Sequence, residues 1–193
     1  LAIDPAPAVT SITDTLDVTT VSLSASASVA EGGNITYTAS LGNPAQTPVS
    51  VTLSNGAIIT IAAGASSGSV NFAAPADDVY VDAGTVSATI SSDSGDNFDS
   101  LAIDPAPAIT AVTDTLDTTT LSISGSATVA EGASGSYTVS LTSPAQTAVT
   151  VNLAYSGTAA NGADFNGVAT VTIAAGSSSA VFSVATIDDL IDE

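Results

Sequence analysis

Nineteen carboxylates are the only charged side chains in this 193-residue chain. Lys, Arg, His, Cys, Met and Trp are all absent. Without Cys there can be no disulfide, thiolate metal site or sulfur nucleophile. Without His and Lys the commonest general bases and Schiff-base formers are missing, so no enzymatic activity is expected. Without Lys and Arg nothing can neutralise phosphate, which argues against nucleic acid and anionic membrane surfaces as partners. What remains is oxygen chemistry. The formal charge of −19 has no cationic side chain to balance it, so compensation must come from solvent cations.

The acids are clustered. None lies between Glu31 and Asp77, or between Glu131 and Asp164. They gather as Asp77, Asp78 and Asp82, then as Asp93, Asp96 and Asp99, then as Asp114 and Asp117. Near the end come Asp188, Asp189, Asp192 and Glu193. Two like charges roughly 4 Å apart repel by about 4 kcal/mol at an effective dielectric near 20. Acids brought together must take up protons or bind hard cations. Calcium accepts oxygen ligands in flexible geometry, whereas magnesium demands a stricter octahedron and keeps more of its water. Zinc would look for His or Cys. The donor set points to Ca2+.

The elements that must position these acids follow from an internal repeat. Leu1 to Thr20 and Leu101 to Thr120 are identical at 16 of 20 positions. The match runs on through Val29-Ala30-Glu31-Gly32 and Val129-Ala130-Glu131-Gly132, and through Pro44 to Thr47 and Pro144 to Thr147. After Leu153 the second copy carries an insertion, and the two realign at Ile61 and Ile173. The unit is about 100 residues long. Val21, Leu23, Ala25, Ala27 and Val29 alternate with serines, and Ile35, Tyr37, Ala39 and Leu41 alternate with polar residues. Period-two alternation predicts half-buried antiparallel strands, with turns at Gly32-Gly33, Asn55-Gly56, Ala63-Gly64 and Ser94-Gly95. One unit offers seven strands, near 19–27, 33–41, 48–54, 57–62, 67–73, 83–91 and 101–113. The expected fold is all-β: tandem immunoglobulin-like antiparallel β-sandwich domains. The expected domains are 1–16, repeating the last strand of a preceding unit plus linker; 17–116, a complete unit; and 117–193, a unit without its final strands.

In such a sandwich the first, third and fifth loops share one pole with the end of the last strand. That pole collects Glu31, Asp77, Asp78, Asp82, Asp114 and Asp117, the set expected to bind Ca2+. In the second unit it collects Glu131, Asp164, Asp188, Asp189, Asp192 and Glu193. A weaker group at the opposite pole joins Asp14 and Asp17 to Asp93, Asp96 and Asp99, where a solvated turn competes with a metal site.

The runs Asp114-Thr115-Leu116-Asp117, Val-Ala-Glu-Gly-x-x-x-x-Tyr-Thr at 129–138 and Asp77-Asp78-Val79-Tyr80-Val81-Asp82 resemble extender repeats of giant RTX-type bacterial adhesins exported by type I secretion. Gly162-Ala163-Asp164-Phe165 and Ile187-Asp188-Asp189 resemble Calx-beta domains. The resemblance implies an extracellular or surface-anchored stalk with calcium at its junctions. It also implies ligands at Glu31 and Glu131, at Asp77-Asp78 and Asp188-Asp189, and at Asp114 with Asp117. The first unit departs from the Calx-beta pattern, having no counterpart of Asp164.

Three roles compete. The first is a structural extender whose partners are neighbouring repeats. The second is a calcium-dependent glycan binder using Tyr80 or Tyr155 as a platform. The third is a fibre subunit in which the strand-like segment 1–14 of one copy complements another. No continuous apolar run is long enough for membrane insertion, because Ser and Thr interrupt it.

Overall fold

The computed structural model describes residues 1–95 and 97–189. The fold is all-β, with no helix among the described residues. The chain divides into two compact units. The first comprises Leu1–Asp77 with Asp82–Thr115; the second comprises Asp78–Val81 and the chain from Leu116 onward.

Among its described residues the first unit contains ten strands: β1 (Val18–Ala25), β2 (Ser28–Ala30), β3 (Asn34–Leu41), β4 (Val49–Leu53), β5 (Ile58–Ile61), β6 (Ser67–Ala73), β7 (Gly84–Ala88), β8 (Ile90–Ser94), β9 (Ser100–Ile103) and β10 (Ala108–Thr113). They pair as β6-β3-β1-β9, β2-β10-β7 and β5-β4-β8. The first sheet faces the other two across one core. Val21, Ile35, Tyr37 and Ala39 come from one side, and Val49, Val51, Leu53, Ile59, Ile61, Ala88 and Ala108 from the other. Alternation explains the burial. β4 buries Val49, Val51 and Leu53 on one face, and β10 buries Ala108, Thr110 and Val112.

The structure is more finely divided than the seven expected strands. The span 83–91 splits into β7 and β8, and 101–113 splits into β9 and β10 around Pro105 and Pro107. Proline has no N–H to give a ladder, so the chain changes sheets there. β9 runs parallel to β1, while β10 runs parallel to β2 and antiparallel to β7. Leu1 to Asp17 form no strand and are exposed throughout.

The second unit contains β11 (Leu121–Gly125), β12 (Ser134–Leu141), β13 (Val149–Asn152), β14 (Phe165–Asn166), β15 (Thr170–Ile173) and β16 (Ser179–Thr186). These pair as β11-β12-β16-β14 and β13-β15. The inserted segment is pinned by its own side chains: the Tyr155 hydroxyl donates to the Val168 carbonyl and accepts from the Val168 N–H, at 3.0 and 2.9 Å. The Tyr80 hydroxyl donates to the Pro144 carbonyl at 2.9 Å.

Two positions in the first unit give sharp tests of packing. A Cβ on Gly68 would stand 2.3 Å from the Thr60 carbonyl oxygen, which is backbone and cannot yield cheaply. Gly68→Ala should therefore cost about 2 kcal/mol, within the usual overpacking range, read as a fall in thermal midpoint. The Tyr37 hydroxyl is buried without a hydrogen-bond partner, and burial pushes its phenol above its ordinary range. Tyr37→Phe should hold or raise stability by about 1 kcal/mol. In the parent the contribution of Tyr37 is intact below the ordinary phenol pKa near 10.0 and is lost as pH rises through the raised folded value. The phenylalanine variant should lose less stability in that alkaline window, measured by denaturant titration at stepped pH.

Candidate metal centre

The end of the β2-β10-β7 sheet carries a row of acids. Ala30 of β2 pairs with Thr113 of β10, and the Glu31 N–H donates to the Thr113 carbonyl at 3.1 Å. The next step along both strands sets Glu31 beside Asp114. Gly84 of β7 pairs with Val112 of β10. Continuing that antiparallel register sets Asp82 opposite Asp114. Ala108, Thr110 and Val112 alternate into the core, so Asp114 continues the inward-facing side of β10. The row of acids thus stands where the core-facing ladder reaches the pole.

Glu31, Asp82 and Asp114 each place a carboxylate oxygen within 4.8 Å of the other two. Glu31 is buried at 8% exposure, Asp114 is half-buried and Asp82 is exposed. One oxygen of Asp114, Oδ1, is buried without a hydrogen-bond partner. Like charges directly opposite on neighbouring strands are destabilising, and no cationic side chain exists to relieve them. The turn after β2 locks the geometry. Gly32 adopts φ +68°, open to glycine at little cost, and its N–H donates to the Pro75 carbonyl at 2.7 Å. That bond draws the segment after β6 against the turn, and a Cβ on Gly32 would lie 3.5 Å from the Asp77 Cβ. The Thr115 hydroxyl donates to Asp77 Oδ1. Asp77 therefore stands beside the row, already engaged through one oxygen.

Among the described residues this is the one group of three or more acids close enough to share an ion. The donors fit a hard cation: three carboxylates, one with a buried oxygen lacking a proton donor, and no softer ligand nearby. Glu31, Asp82 and Asp114 would hold such an ion.

The remaining predicted acids are placed elsewhere. Asp78 Oδ1 accepts the Tyr80 N–H at 2.8 Å in the second unit, and Asp117 is exposed. Asp14 is exposed and caps the Thr15 N–H at 3.0 Å. Asp17 is exposed, and its own N–H donates to Asp99 Oδ2 at 3.3 Å. Asp93 lies half-buried in β8, and Asp96 is outside the described residues. In the second unit Glu131, Asp188 and Asp189 are exposed. Asp164 is half-buried and accepts the Ala160 N–H. Gly132 repeats the left-handed turn of Gly32 at φ +69°, with its Cβ position 3.3 Å from the Asp188 Cβ. Asp192 and Glu193 lie outside the described residues. Sequence reasoning gave no role to Thr115, because a hydroxyl in a Thr-rich linker carries no signal of its own.

The model of the LapA domain matches residues 17–115 and again 117–193. The chain belongs to the LapA domain family. LapA is a large surface adhesin of biofilms, which gives this chain an adhesin-related role and a place at or outside the cell surface. The match supports adhesin-related repeats in general and does not single out RTX or Calx-beta repeats. No curated protein matches the chain. No helix among the described residues is long and apolar enough to cross a membrane.

The charge row makes a test that needs no ion. In chelator at low salt, Asp114→Asn should raise the thermal midpoint by a few degrees, because it removes like-charge repulsion beside Glu31 and Asp82. Asp104→Asn, which changes a capping acid outside the row, should not. An Asp114→Asn variant less stable than the parent in chelator would show that the row is not under electrostatic strain.

Proposed function

We propose that the chain is a pair of structural extender repeats of a surface adhesin, stiffened by calcium. The observation that carries this reading is the convergence of Glu31, Asp82 and Asp114, from three separate segments, to within 4.8 Å. A Ca2+ ion held there would bridge the turn after β2, the segment before β7 and the end of β10 in one step. Asp114 is followed directly by Thr115, the last residue of the first unit, and by Leu116, the first residue of the next stretch of the second. Fixing Asp114 therefore fixes the backbone where one repeat passes into the next. Asp77, bonded to Thr115, would tie the same linker from its other side.

The resemblance of Val-Ala-Glu-Gly and Asp77-Asp78 to extender and Calx-beta repeats supports the choice of calcium. The row is set by the pairing of β2 and β7 with β10, so its ligands come from strand ends and the turns beside them. The reading assigns the chain no catalytic step. Export to the cell exterior, where free calcium is plentiful, suits a site with few protein ligands and room for water.

Isothermal titration of the full chain with CaCl2 should give saturable binding at the first unit. Glu31→Gln or Asp114→Asn should weaken it by about tenfold or more, the loss of one charged ligand, while Asp104→Asn leaves it unchanged. Small-angle scattering should report a narrower distribution of dimensions in calcium than in chelator. Absence of binding heat together with identical scattering in both conditions would remove the proposal.

A further inference from the structure

Three asparagines of the chain are followed by glycine: Asn55, Asn161 and Asn166. Such a pair can modify itself. The glycine amide nitrogen gives up its proton to solvent hydroxide and attacks Cγ of the asparagine. A five-membered imide closes, and the side-chain nitrogen leaves as ammonia. Water then opens the ring at either carbonyl, giving aspartate or isoaspartate. Glycine matters because no side chain shields the attacking nitrogen. An N–H held in a hydrogen bond is harder to deprotonate and to turn toward the carboxamide.

The three pairs are restrained differently. At Asn55 both reacting groups are tied within the turn between β4 and β5. The Gly56 N–H donates to the Leu53 carbonyl at 2.9 Å, and Asn55 Oδ1 accepts the Ala57 N–H at 3.1 Å. Asn55 Nδ2 is buried, away from the water that must open the imide. At Asn161 both groups are again engaged. The Gly162 N–H donates to the Phe165 carbonyl at 2.7 Å, and Asn161 Oδ1 accepts the Gly167 N–H at 2.7 Å. At Asn166 only one half is held. Its side chain is exposed and hydrogen-bonds to no described residue. The attacking Gly167 N–H is restrained by its bond to Asn161 Oδ1, and that acceptor belongs to an exposed side chain.

We propose that Asn166 is a site of self-modification and that Asn161 gates it. The packing of the inserted segment imposes the reactive pair. A Cβ at position 167 would stand 2.8 Å from Asn161 Nδ2 and 2.8 Å from Tyr155 Cε2. Tyr155 is itself fixed by its two bonds to Val168. Glycine therefore follows Asn166 for reasons of space, and its amide opens to attack whenever the Asn161 side chain swings away. The product alters structure as well as charge. Phe165 and Asn166 form β14 and pair with Thr186 and Ala185 of β16. Isoaspartate routes the main chain through the side-chain carbon, which lengthens the backbone and breaks that register. It also places a new carboxylate two positions from Asp164, in a chain without a cationic side chain. As the protein ages, the inserted segment loses its hold on β16.

The full chain should be aged in mildly alkaline buffer at body temperature, with peptide mass spectrometry reading aspartate and isoaspartate at each asparagine. Asn166 should convert first, ahead of Asn161 and Asn55. Asn161→Ala, which removes the acceptor, should speed conversion at Asn166 about fivefold, the loss of one hydrogen bond, and leave Asn55 unchanged. Asn161→Asp keeps an acceptor oxygen and should hold Asn166 near the parent rate. If Asn161→Ala loosens the second unit as a whole, Asn161→Asp and the order of conversion in the parent still decide. Earlier conversion of Asn55 or Asn161, an Asn166 that stays intact, or equal acceleration by Asn161→Ala and Asn161→Asp overturns the proposal.

Discussion

Backbone pairing and charge repulsion oppose each other at one end of the β2-β10-β7 sheet. The hydrogen bonds that hold β2 and β7 against β10 also deliver Glu31, Asp114 and Asp82 into one transverse row. The strands cannot complete their ladder without crowding the acids, and the acids cannot separate without fraying the ladder. In a chain with no Lys, Arg or His, that conflict is resolved only from outside. Stability, charge balance and the passage to the next unit thus meet at a single place, which is why a cation there would have leverage out of proportion to its three protein ligands.

Much of the fold was legible because alternation is a direct consequence of the pleat. Val49, Val51 and Leu53, or Ile35, Tyr37 and Ala39, announce their strands and their buried face at once. The convergence of Glu31, Asp82 and Asp114 was also visible, but only as a shared pole. Loop order says which acids arrive at one end of a sandwich; it does not say which of them stand in register. That depended on β2, three residues long and present only because β10 pairs with it. No local pattern distinguishes Ser28-Val29-Ala30 from the strandless Thr128-Val129-Ala130. Asp78 and Asp117 reach the same part of the sequence without entering the row, for the same reason.

The two copies show how much of a strand is made by its neighbour. Ser28–Ala30 are strand where β10 pairs with them, while the nearly identical residues 128–130 are irregular. The LapA domain model matches each unit separately, at residues 17–115 and 117–193, so each unit is a modest domain of its own. Thin cores of Val, Ala and Ile leave each unit little stability to spare, so edges and junctions matter more here than in a large single domain.

The parallel pairing of β1 with β9 bears on what happens under tension. The chain enters β1 at Val18 and leaves the first unit after β10, so a pull on its two ends draws β1 and the β9-β10 segment in opposite directions along their length. A parallel pair loaded in this way is sheared, and its rungs must yield together instead of opening one after another like a zipper. A repeat of an adhesin-related surface protein would resist unfolding under load through that geometry.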